Sequence, residues 1–196
     1  MKKIIAMLLA VMLVVSMAAC GAKTESKDNG AQETTAAKVE VPESALVILE
    51  TVWNAYAEDD KFPVFGGNQD ENANMEGPGA FKTEDTDGLT YLLLVPADLQ
   101  ASIDGAASMV HMMNSNTFTC AAYHINGDVK AFADGMKAAV TGNRWMCGMP
   151  DQLLITVIGG EYVLVAFGVN DAMNPFMEKL AAAYPAAQQL YLEALA

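Results

Sequence analysis

Two short runs concentrate the side chains able to do chemistry. Met109-Val110-His111-Met112-Met113 and Met146-Cys147-Gly148-Met149 bring together thioethers, an imidazole and a thiol, with Cys120 and His124 between them in the chain. Thioether, thiolate and imidazole are the donors Cu(I) prefers. A copper-binding or redox role would draw on Met109, His111, Met113, Cys147 and Met149. The same residues have a plainer use, because methionine fills irregular gaps in cores. No Cys-x-x-Cys pair and no close histidine spacing sets a coordination geometry, so neither a metal nor a cofactor is assigned.

Other chemistries leave weaker traces. Asp70, Asn72 and Asn74 alternate as in an EF-hand loop, but Met75 stands where the sharp turn wants glycine and Phe81 where a bidentate glutamate is required. An oxygen site using Asp85 and Asp87 competes with the simpler view of a solvated acidic loop. There is no Gly-x-Ser-x-Gly elbow, phosphate-cradling glycine loop or His-Glu-x-x-His helix. Cys120 and His124, four residues apart on a strand, sit too far apart for direct proton transfer. A carboxylate-based envelope hydrolase stays open, since acids are plentiful, but catalysis is the minority reading. Cys120 and Cys147 either pair as a disulfide or remain two separate thiols.

The elements that must position these residues follow from periodicity. Pro42 opens a helix to about Glu58 with Leu46, Leu49, Trp53 and Tyr56 on its apolar face. Asp59 to Gly88 is a long irregular stretch, and with Glu58 it carries nine acids against Lys61 and Lys82. Leu89 to Val95, an apolar run before Pro96, predicts a buried strand. Leu99, Ile103, Ala106, Val110 and Met113 step by fours and threes and predict a helix with a weak spot at Gly105. Thr117 to Ile125 predicts a strand, and Val129, Phe132, Met136 and Val140 the inner face of a helix. Leu153–Ile158 and Tyr162–Phe167 flank Gly159-Gly160 as a hairpin. Asn174 caps a helix with Pro175 first and Phe176, Leu180 and Tyr184 inward, and a short helix follows Pro185. Alternating strands and helices predict an α+β domain over 42–196, with a small mixed, partly parallel sheet covered by helices in two layers.

The N-terminal stretch sets the expected compartment. Lys2 and Lys3 precede an unbroken apolar run, Ile4 to Val15, and small residues follow, the layout of a secretory signal over 1–19. The run is shorter than the roughly 20 residues a membrane span needs. Met17-Ala18-Ala19-Cys20-Gly21 resembles the bacterial lipobox, with Met17 in place of the usual leucine. That resemblance implies a lipidated Cys20 as the first mature residue. Residues 20–41 then read as a flexible tether, too polar and small to bury a core.

Loss of Lys2 and Lys3 with the leader would take the formal charge from −13 to −15. So acidic a chain repels nucleic acid and anionic headgroups, which leaves the anchor as its contact with the membrane. The run Leu94-Val95-Pro96-Ala97-Asp98, the segments Phe118–Ile125 and from Asp128, and the hairpin Ile158–Leu164 resemble, with the lipobox, a family of small Firmicutes lipoproteins of unknown function. That family contributes no catalytic residues. The expectation is a lipoprotein on the outer face of the cell membrane that binds an unidentified protein or small molecule. Asp59–Gly88 is its contact loop, and its removal should spare the fold.

Overall fold

The computed structural model describes residues 41–195. The expected signal, the lipid site Cys20 and nearly all of the tether lie outside these residues. No helix among the described residues is long and apolar enough to cross a membrane.

The α+β class holds, around one open sheet of seven strands. In chain order these are β1 (Val64–Phe65), β2 (Gly79–Phe81), β3 (Ile103–His111), β4 (Phe118–Ile125), β5 (Gln152–Ile158), β6 (Tyr162–Gly168) and β7 (Gln188–Ala194). Their spatial order is β1-β3-β4-β6-β5-β7, with β2 also on β3. Every pairing is antiparallel, so the expected parallel component is absent. One correction explains this. The segment read as a helix from Leu99 to Met113 is strand β3, joined to β4 by a short turn rather than a crossover.

Three helices cover both faces, giving three layers where two were expected. Ser44, not Pro42, starts α1 (Ala45–Asn54), its hydroxyl accepting from Val47 N at 3.2 Å. Asp128 caps α2 (Val129–Thr141) through Lys130 N and Ala131 N. The third helix, α3 (Asn170–Ala183), begins five residues earlier than expected and carries Pro175 inside it. Its first N–H donates to Asp151 Oδ2 at 2.7 Å, a cap supplied from 19 residues away. Ile48, Leu49 and Val52 of α1 and Met173 and Phe176 of α3 pack with Met109, Phe118 and Cys120 on one face. Phe132, Met136 and Val140 of α2 pack with Tyr123, Ile155 and Val165 on the other. Each fully buried large apolar side chain contributes about 1.5–3 kcal/mol.

Three further expectations change. Leu89–Val95 is no strand: Gly88–Leu92 forms a single π-helical turn, opened by Gly88 N donating to Asp85 Oδ1 at 2.9 Å. The segment after Pro185 is edge strand β7, held to α2 by Lys137–Glu193 at 2.5 Å. The stretch 59–88 is not a detachable loop, because it supplies β1 and β2 and the buried Val64, Phe65 and Phe81. Trp53 Nε1 donates to Glu76 O at 3.1 Å, and the buried Ser108 hydroxyl both donates to Gly67 O and accepts from Gly67 N at 3.0 Å. Removing that stretch would strip the sheet of two strands.

Candidate functional site

Strand β3 carries one more residue than its partner. Ile103 faces Ile125 and Gly105 faces His124, so Asp104 is the extra residue of a β-bulge. Bulges re-aim side chains, and are common beside functional sites. Here the bulge turns the Asp104 carboxylate onto Nδ1 of His124. On the other side, Glu161 at the β5–β6 turn brings Oε2 to 3.5 Å from Nε2. The imidazole rests on Tyr162, its cross-strand partner, with ring centroids 4.8 Å apart. Hydrogen bonding to Asp104 raises the His124 pKa first, and Glu161 adds to it. The result is an imidazole bracketed by two carboxylates that favour its charged form.

Asp104, His124 and Tyr162 wall a groove of about 370 Å³ that opens against the first turn of α1. Glu43 and Ser44 line it from just before the helix, Ala45 and Leu46 from its first turn, and Ala80 from β2. The Ser44 hydroxyl is committed to capping α1. Through Ala80 the acidic stretch 59–88 does reach the groove, although most of it is built into the sheet.

The sulfur-bearing residues gather at the opposite end of the central strands, apart from Met109, which is fully buried beneath α1. The turn between β3 and β4 carries Met112 and Met113, and the segment between α2 and β5 carries Met146, Cys147 and Met149. All four of these methionines are exposed, Met113 at 84% and Met146 at 79%. Asn114 and Asn116 tie the two segments together. Asn114 Nδ2 donates to Cys147 O at 2.9 Å, and Asn116 Nδ2 to Met146 O at 2.6 Å and Gly148 O at 2.7 Å.

His111 belongs to a different arrangement. Its Nδ1 accepts from Met113 N at 3.2 Å and Asn114 N at 3.4 Å, and its ring stacks on Phe62. Partial burial lowers its pKa. Cys120 lies fully buried on β4, and burial pushes its thiol pKa well up, whereas Cys147 is exposed; both are free thiols. Asp70 pairs with Lys82 at 2.9 Å, and Asp85 Oδ2 accepts from Asn68 Nδ2 at 2.8 Å, so these two acids serve the local fold. Among the described residues, no group of three His, Cys, Asp or Glu side chains is placed to hold a metal ion.

The Asp104–His124–Glu161 cluster has no counterpart in the sequence reading, which weighs His124 with Cys120 and finds that pair too far apart. A glycine within a strand is a bulge signal, and Asp104-Gly105 supplied it. The signal was lost because that segment was read as helix. No family model matches the chain, and neither does any curated protein or solved structure.

Proposed function

We propose that this chain is an extracytoplasmic lipoprotein, held on the cell membrane by lipid at Cys20, whose folded domain binds a partner without catalysis. The partner is a protein or a small molecule, and the groove beside His124 is its contact surface. The anchor is supported by the apolar run ending in Met17-Ala18-Ala19-Cys20-Gly21, and the likeness to Firmicutes lipoproteins rests on the residues quoted for it. Binding over catalysis is supported by one observation: both ring nitrogens of His124 face carboxylates. Carboxylates at both nitrogens favour the charged form of the ring, which suits a partner in an ion-pair network better than a general base. Asp104 and Glu161 both face the His124 ring that lies between them, which counts against their acting together as a carboxylate hydrolase pair.

Two measurements test this. Cells fed an alkynyl fatty acid should label the protein and retain it in the membrane fraction, and Cys20→Ala should lose both. The purified protein should not turn over ester, peptide or glycoside model substrates between about pH 5 and 8, the span over which histidine titrates. Turnover that disappears in His124→Gln would overturn the non-catalytic reading.

A further inference from the structure

We infer that the two sulfur-bearing segments at the far end of the sheet form a Cu(I) site, with the Cys147 thiolate and the thioethers of Met113, Met146 and Met149 as donors. The inference is independent of the groove and of the lipid anchor.

Exposure is the first ground. Elsewhere in the domain Met109, Met136 and Met173 are fully buried, and Met75 stands exposed by itself. Met112, Met113, Met146 and Met149 instead leave their thioethers in water on two adjoining segments. Forgoing that burial is unfavourable, and a soft ligand at the sulfurs would offset it.

Placement is the second. Three hydrogen bonds from Asn114 and Asn116 fall on the carbonyls of Met146, Cys147 and Gly148, so the backbone bearing Cys147 is fastened to the turn bearing Met113. Cys147 is held at φ +64°, in the left-handed region that a residue with a Cβ rarely adopts. Such strain persists only where the surroundings enforce it, and it gathers at functional positions.

Donor chemistry decides the ion. Residues 111–117 and 142–150 contain no aspartate or glutamate. Calcium and magnesium require carboxylate or carbonyl oxygens and find no carboxylate here. Thiolate and thioether favour a soft ion, and a monovalent one leaves the thiolate site neutral. His111 is not a donor, because its Nδ1 lone pair accepts two backbone N–H groups and the ring proton then sits on Nε2. Met109 is sealed beneath α1. Binding forms a Cu–S bond to Cys147 and releases the thiol proton to solvent, with no change in the oxidation state of copper or sulfur.

The test uses the full chain carrying Cys20→Ser, which removes the third thiol and any lipid and makes the result independent of the fatty-acid labelling. Under anaerobic conditions the protein competes with bicinchoninate for Cu(I), followed by the absorbance of the copper–chelator complex. One equivalent should be withdrawn. Affinity should fall about tenfold or more in Cys147→Ser, and likewise when Met113, Met146 and Met149 are all changed to leucine. Cys120→Ala and His111→Gln should bind as the parent does. No withdrawal, retention of full affinity in Cys147→Ser, or an equal loss in Cys120→Ala would overturn the site.

Discussion

The carboxylate of Asp104, the extra residue of the β3 bulge, meets Nδ1 of His124 on the neighbouring strand. Each of the two residues owes its position to the other's strand. The contact holds the His124 pKa above its ordinary 6.5, with Glu161 assisting from the hairpin. Because the folded state favours the charged imidazole, its contribution to stability is complete below about pH 6.5 and is lost as pH rises through the raised value. In a proton NMR titration the His124 ring should show a midpoint above 6.5, and Asp104→Asn should bring it back down. An unchanged midpoint in that variant would remove Asp104 as the cause.

Ser108 binds both backbone groups of Gly67 from a fully buried position. Ser108→Ala leaves an N–H and a carbonyl without their partner and should cost about 1–3 kcal/mol. Urea denaturation should show a lower midpoint at unchanged slope. A midpoint equal to that of the parent would mean that water replaces the hydroxyl at no cost.

Gly66 and Gly79 cross where β1 meets β2. A Cβ on Gly66 would lie 2.0 Å from Gly79 N, a backbone atom that cannot swing aside. Gly66→Ala should therefore destabilise the domain by at least about 1–3 kcal/mol, the usual cost of overpacking, with limited proteolysis cutting first within 59–88. The same crossing predicts that deletion of 59–88 yields an unfolded chain, readable by circular dichroism.

Thiol labelling should separate the two cysteines of the domain. Cys147 is exposed and Cys120 fully buried with its pKa well raised, so the native Cys20→Ser chain should take one iodoacetamide. A second should add only in denaturant. Intact mass gives the count, and two additions under native conditions would show that β4 opens.

Strand β4, helix α2 and the β5–β6 hairpin were legible because each carries its signal locally: β-branched and aromatic residues, a capped amphipathic period, a Gly-Gly turn. Strand β3 was not, and its bulge is the reason. With Asp104 inserted, Ile103 and Ala106 share a face although three apart, and Ala106 and Val110 share it four apart, which mimics a helical step. Both faces of β3 are buried, so no polar alternation corrects the error. Strand β7 consists largely of good helix formers, and only its pairing with β5 overrides that preference. The α3 cap comes from Asp151, and the partners of His124 come from 20 and 37 residues away. Contacts of that range leave no local trace. The methionine runs were visible at once, but their exposure, which gives them meaning, was not.

The strand order has a consequence for how the chain folds. Hairpins β3–β4 and β5–β6 join sequence neighbours and can close early. The β4–β6 seam must wait for α2 and β5 to be in place, since distant pairings carry the larger closure entropy. Strand β7 is synthesised after the other six strands and is the cover for β5. Until residue 194 has emerged, the apolar strand Gln152–Ile158 presents a bare row of backbone donors and acceptors. An unpaired edge of that kind recruits other strands. A chain delivered from its N-terminus is therefore most prone to aggregate in the interval just before β7 arrives, and a truncation ahead of β7 would make that state permanent.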